Sequence, residues 1–237
     1  MTLQNKEIRS ISDQKKKFSI NLMSYPILYS FKRCPYAMRA RMALHLAEIK
    51  CEIREIRLSN KPEQMLEISP KGTVPILILE DKVIDESYDI VNWVIEESNI
   101  FNDNLGSDQI DLTESLIKKF DDEFKHHLDR YKYATRYENT DSDFHKAECL
   151  EILIDLEAIA SNDKWIFGKN LNKLDISILP FIRQFRIANP EWFDSLEEIS
   201  RIKNILNNYL DSEEFKKIMF KYDEWELGAK PVYFPST

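Results

Sequence analysis

The stretch Arg33-Cys34-Pro35-Tyr36-Ala37 sets a cysteine where a hydrophobic strand gives way to a helix. Ile27-Leu28-Tyr29 reads as a buried strand, and Pro35 suits the first helical position, where its missing N–H costs nothing. Cys34 then falls at the N-cap, facing unpaired amide hydrogens and the positive end of the helix dipole. Lys32 and Arg33 add positive charge, and all of these effects favour the thiolate, the nucleophilic form of cysteine. Ala37 stands where a Cys-X-X-Cys motif would carry its second thiol. A disulfide made by Cys34 is therefore expected to be resolved by a thiol from elsewhere, most simply a small-molecule one. Pro75 is the second unusual residue, since a proline cannot donate to the ladder of the strand that Val74 to Leu79 otherwise describes. Either a cis Val74–Pro75 bond exposes the preceding backbone to a ligand, or a trans proline begins the strand; the residues alone leave both open.

Other residue types carry weaker signals. His145 and Cys149 lie four apart on an expected helix, a zinc-compatible spacing without recognisable third and fourth ligands, so no metal is expected. His126-His127 are expected on different sides of a helix at the surface, Cys51 buried and inert, and Asp121-Asp122-Glu123 on a solvated helix face. Phe181, Phe185 and Trp192 form an aromatic stripe that suits either the core or a substrate pocket. Arg183 and Arg186 beside it suit either surface pairing or an anionic substrate.

The elements that position these residues begin with a strand at 26–31 and a helix from Pro35 to about Ile49, with Met38, Met42, Leu46 and Ile49 on its inner face. Cys51 to Ile56 alternates as a half-buried strand; Lys61-Pro62-Glu63 opens a short helix ending near Ser69-Pro70, before a Lys71-Gly72 turn. Strands from Val74 to Leu79 and Lys82 to Ile84 follow, then a helix started by Asp85-Glu86-Ser87. Beyond Phe101 the pattern turns helical, over about 107–136, 142–161, 173–188, 196–209 and 211–221. The expected architecture is α/β plus all-α. A polar arm (1–24) precedes an α/β domain (25–100), a linker (101–106), a helical domain (107–225) and a tail (226–237).

With 237 residues and a net charge of −8, the chain has length for a substantial core and no general basic face for nucleic acid. The arm is basic (Lys6, Arg9, Lys15, Lys16 and Lys17) in front of an acidic body. Three cysteines argue against a disulfide framework. The longest apolar runs are too short to span a bilayer and no secretory leader is recognisable, so a cytoplasmic protein is expected.

Taken in order, Ser30-Phe31-Lys32-Arg33-Cys34-Pro35-Tyr36-Ala37-Met38-Arg39-Ala40-Arg41, Asn60-Lys61-Pro62-Glu63, Gly72-Thr73-Val74-Pro75 and Asp85-Glu86-Ser87 resemble the cytosolic glutathione transferases. The likeness is greatest to their cysteine-type branch, the omega-like, dehydroascorbate-reductase-like and two-domain glutaredoxin-like members. It covers about residues 25–225 and is most specific in the first third. Leu171 to Ser177 resembles the helix-capping segment of the family's helical domain, with Asn172 where Ser or Thr is usual.

The resemblance implies a thioredoxin-like domain that binds glutathione as co-substrate, followed by a helical domain that forms most of the second-substrate pocket, in a homodimer. It implies Cys34 as the catalytic thiol, and Val74, beside a cis Pro75, pairing with the cysteinyl backbone of glutathione. Glu86 and Ser87 would hold its γ-glutamyl end and Lys61 its glycyl carboxylate. Phe31, Tyr36, Phe181 and Phe185 are candidates for the second-substrate pocket. The expected activity is that of a glutathione-dependent thiol transferase or reductase working through a Cys34–glutathione mixed disulfide. Conjugation of glutathione to electrophiles, and a non-catalytic binding role, are the alternatives.

Overall fold

The computed structural model describes residues 25–101 and 105–235, so the polar arm and the centre of the expected linker lie outside the described residues. Strands β1 (Ile27–Ser30), β2 (Cys51–Glu55), β3 (Ile76–Ile78), β4 (Val83–Ile84) and β5 (Tyr233–Phe234) form one sheet in the order β4-β3-β1-β2-β5. β1 and β2 run parallel and the other pairings are antiparallel. The parallel pair needs a crossover, which α1 (Pro35–Leu46) supplies. Helices α2 (Glu63–Ile68) and α3 (Ser87–Ser98) complete the thioredoxin-like half.

Alternation along the strands divides the core. Leu28, Cys51, Ile53 and Leu77 join the large cluster with Met38 and Met42 of α1 and Ile90, Val91 and Val94 of α3. Tyr29 and Ile76 point the other way, into a smaller cluster with Ile56, Met65, Val74 and the half-buried Phe31, Cys34 and Trp225. Cys34 is therefore embedded in packing and does not stand proud of the sheet.

The remaining helices are α4 (Ser107–Lys119), α5 (Lys125–Lys132), α6 (Ser142–Ile159), α7 (Lys173–Ala188), α8 (Pro190–Ser195), α9 (Ser200–Asp211) and α10 (Glu213–Ile218). The helix expected over 107–136 is interrupted by a π-helical segment, Phe120–Phe124, and ends in a 3₁₀ turn at Ala134–Arg136. The widened turn puts Phe120 and Phe124 in a stacked pair with ring centroids 4.5 Å apart, both fully buried. α7 begins with the expected capping box: Asn172 accepts from the amides of Leu174 and Asp175, and Asp175 accepts from the amide of Asn172. Asp175 also accepts from the Ile166 amide at 2.9 Å, pinning the preceding loop. The sequence signals for the tail contain no strand, yet Tyr233 and Phe234 pair with Glu52 and Cys51. No helix among the described residues is long and apolar enough to cross a membrane.

Candidate functional site

Cys34 occupies the N-cap of α1 with Pro35 behind it. Its turn is closed by the Cys34 amide donating to Phe31 O at 3.0 Å and is tied down from both halves of the molecule. The Lys32 amide donates to Glu55 Oε1 at 2.6 Å, and Gln184 Nε2 of α7 donates to Arg33 O at 2.8 Å. Glu55 also pairs with the buried Arg41, whose Nη1 donates to Ile218 O at 3.0 Å. The Trp225 amide donates to Glu55 O at 2.7 Å. Glu55 thus joins the cysteine turn, α1 and the chain beyond α10.

The Val74–Pro75 bond is cis, and the Cys34 Sγ–H donates to Val74 O at 3.6 Å. Burial pushes the thiol pKa up. The amides of Ala37 and Tyr36 and the charges of Lys125 and Arg41 pull it down without overcoming burial. This corrects the thiolate expected from the local sequence: helix dipole and nearby cations are present, but desolvation outweighs them, and the resting group is a thiol.

Glu86 is the N-cap residue of α3; its exposed carboxylate meets Lys71 Nζ at 2.7 Å, and Lys71 also reaches Asp85 at 3.1 Å. Ser87 is buried, and its Oγ accepts from Arg39 Nη1 at 3.3 Å. Lys61 is exposed, with its side chain folded over the Gly72 turn: a methyl group built on Gly72 would sit 3.3 Å from Lys61 Nζ. The Gly72 φ of +61° lets the chain turn there into Thr73 and Val74.

On the helical side, Tyr36 meets Phe181 edge to face, with centroids 4.9 Å apart. Burial and the Asp121 carboxylate raise the Tyr36 pKa, so its hydroxyl stays protonated. Phe31 and Tyr36 are half-buried and keep accessible surface. Phe181 and Phe185 are completely buried, with Phe185 packed among Phe124, Tyr131, Trp192 and Phe193. They belong to the core and present no surface to a substrate, which corrects their place in the expected pocket.

Two other expectations are also corrected. Asp121 is not on a solvated face: it clamps the fully buried Arg39 through two bonds of 2.7 and 2.9 Å, while Arg39 also donates to Ser177 O. His127 and His145 face each other at 2.7 Å between their Nδ1 atoms, and His126 packs against both rings. Cys149 is buried and donates to Phe124 O at 3.7 Å. Among the described residues, no group of three or more His, Cys, Asp or Glu is placed to hold a metal. Cys51 is buried, with its pKa pushed up to about 12 by desolvation. Glu55, Gln184 and Trp225 carry no local sequence signal for the site, since each acts through a partner distant in the chain; Arg39 and Arg41 fall in the segment Ser30 to Arg41, where the sequence assigns them no role.

Residues 28–100 match the family model described as the glutathione S-transferase N-terminal domain. Over 165 residues the chain is 31% identical to the probable glutathione S-transferase parA of Nicotiana tabacum, covering 67% of this chain and 72% of that one. The chain belongs to the glutathione S-transferase family. It is also 21% identical over 221 residues to the glutathione S-transferase DHAR3, chloroplastic, of Arabidopsis thaliana, covering 84% of this chain and 73% of that one. Among solved structures, a glutathione transferase family member from Pseudomonas fluorescens with two glutathione bound aligns with a TM-score of 0.73 at 14% identity, over 86% of this chain and 96% of that one. That likeness concerns the fold.

Proposed function

We propose that this glutathione S-transferase is a glutathione-dependent thiol transferase whose nucleophile is Cys34. The observation that carries the reading is the half-buried Cys34 thiol directed at the Val74 carbonyl beside a cis Pro75. The DHAR3 relative supports the cysteine-type chemistry, and glutathione in the solved neighbour supports glutathione as co-substrate. The amides at the head of α3 and Ser87 Oγ suit the γ-glutamyl carboxylate, Glu86 its ammonium, and Lys61 the glycyl carboxylate.

In the first step the Cys34 thiol loses its proton to solvent, and the sulfur attacks a mixed disulfide of glutathione and a second thiol. The Cys34–glutathione disulfide forms, the old S–S bond breaks, and the second thiol leaves as thiolate. A second glutathione thiolate then attacks this disulfide, releasing oxidised glutathione and the Cys34 thiolate. Glutathione supplies the electrons, and Ala37 offers no competing thiol. Backbone pairing of glutathione with Val74 would draw on the carbonyl that the resting thiol uses as acceptor, so docking favours loss of the proton. Glutathionylated proteins and small disulfides that have exchanged with glutathione fit this step directly. Dehydroascorbate fits if the Cys34 sulfur first adds to a carbonyl carbon and a glutathione thiolate then attacks that sulfur, releasing ascorbate and leaving the Cys34–glutathione disulfide.

The expected setting is a cytoplasmic homodimer with no nucleic-acid or membrane partner. Its glutathione-binding domain would span 25–100 and its helical domain 107–225. Intact mass spectrometry after exposure to oxidised glutathione tests the reading. One added glutathione, absent in Cys34→Ala, is the expected result; an unmodified wild-type protein refutes it.

The raised Cys34 pKa favours one second reading, in which a protonated Cys34 donates to the sulfur of bound glutathione and supports conjugation to electrophiles. Parallel assays with a disulfide and an aryl halide separate the two.

A further inference from the structure

Helix α5 presents Lys125 and Lys132, seven residues and two turns apart, toward the cysteine turn. Lys125 Nζ lies 5.8 Å from the Tyr36 ring centre and pairs with Asp129. Lys132 Nζ donates to Gln184 Oε1, and the same amide donates through Nε2 to Arg33 O at 2.8 Å. One side-chain amide therefore separates the Lys132 ammonium from the backbone of the residue preceding Cys34. Arg183 stands next to Gln184 on α7, with its guanidinium 5.6 Å from the Phe215 ring centre.

Lys125 has Asp129 as its carboxylate partner and Arg186 is held by Asp194 through bonds of 2.7 and 2.8 Å, while Arg130 rests on His126 and the Tyr137 ring. Lys132 and Arg183 are half-buried and, among the described residues, form no ion pair. Burial lowers both pKa values; the Arg183 charge lowers that of Lys132 further, and the Asp129 carboxylate opposes this. Partly desolvated like charges without a directly bonded counter-ion are costly, and an anion arriving beside them lowers that cost. An ammonium has three donors, and Gln184 takes one of those on Lys132.

We propose that Lys132 and Arg183 form an anion-binding arm of the second-substrate site, selecting disulfides whose leaving thiol carries a carboxylate. This rests on the thiol-transferase reading and adds the charge of the substrate to it. Gln184 is the positioning residue, fixing the ammonium relative to the cysteine turn.

The test compares kcat/KM, with glutathione as reductant, for three disulfides of similar reach: dithiodipropionate (anionic), bis(2-hydroxyethyl) disulfide (neutral) and cystamine (cationic). The wild type is expected to rank them in that order, with the anionic preference shrinking as salt is raised. Lys132→Gln and Arg183→Gln should each lower the anionic-to-neutral ratio about tenfold, the scale of one lost charge-assisted hydrogen bond, and Lys132→Arg should restore it. The ratio is internal to each protein, so a general loss of folded enzyme cancels. A wild-type ratio near unity, or a ratio that neither glutamine variant moves, overturns the anion arm alone. Failure to turn over any of the three overturns the thiol-transferase reading and this inference with it.

Discussion

Asp121→Ala is expected to destabilise the protein by about 3 kcal/mol, because it strips two charge-assisted hydrogen bonds from a guanidinium that has no access to water. Arg39 is 0% exposed and Asp121 26% exposed at the side chain, so the carboxylate is partly hydrated and the guanidinium depends on protein partners. Two charged bonds at about 1.5–3 kcal/mol each set an upper bound, which water entering on the Asp121 side reduces. Ser87 Oγ and Ser177 O remain as acceptors after the substitution, which keeps the cost below that of a wholly orphaned charge. For a chain of this length, about 3 kcal/mol corresponds to a fall in Tm of roughly 6–12 °C. Urea unfolding of the wild type, Asp121→Ala, Arg39→Met and the double variant gives the coupling energy directly. The same release frees Arg39 from its fixed approach to Ser87, so KM for glutathione should rise in Asp121→Ala. A stability loss below about 1 kcal/mol, with additive single variants, would refute the view that this pair locks the two halves together.

Three further outcomes are expected. Gly72→Ala should cost about 1–2 kcal/mol, read from thermal melts, since φ is +61° and the new methyl would lie 3.0 Å from Leu66 Cδ2; an unchanged melt would show that the turn relaxes freely. Because burial raises the Cys34 pKa, alkylation by iodoacetamide should still be accelerating at pH 8.5, and a plateau below pH 7.5 would reveal a stabilised thiolate. Burial also raises Asp175 to about 7, against about 3.9 for a free aspartate, so the folded state keeps a proton that the unfolded chain releases between these values. Its contribution to stability is complete below pH 4 and is lost as pH rises toward 7; Asp175→Asn should flatten that part of the urea-midpoint profile, and parallel profiles would assign the slope elsewhere.

Much of the fold was legible in local pattern. The apolar run Ile27-Leu28-Tyr29, the alternation from Cys51 onward and the box made by Asn172 and Asp175 are short-range signals, and each appears in place. Pro75 was legible as an anomaly, though its cis geometry could not be chosen from the strand alone. Long-range effects were hidden. The cations and helix start around Cys34 are visible in the sequence, while the packing of Val74, Phe31 and Trp225 that desolvates it is assembled from distant segments. Asp121 looked solvated because three acids in a row usually are; a π-helical turn and a buried arginine on α1 give it a different role. Tyr233-Phe234 is too short to announce a strand, and only the unfilled edge of β2 explains it.

That last pairing has a consequence for how the chain is made. Cys51 meets Phe234 across the whole helical half of the sequence, so the sheet begun by the earliest strands is finished by a segment the ribosome adds after α10. Until then the outer edge of β2 offers unpaired backbone groups to any passing strand, a known route to mispairing. The nascent thioredoxin-like half therefore has a period of vulnerability lasting through the synthesis of every helix from α4 onward. That exposure ends when Tyr233 and Phe234 pair with Glu52 and Cys51.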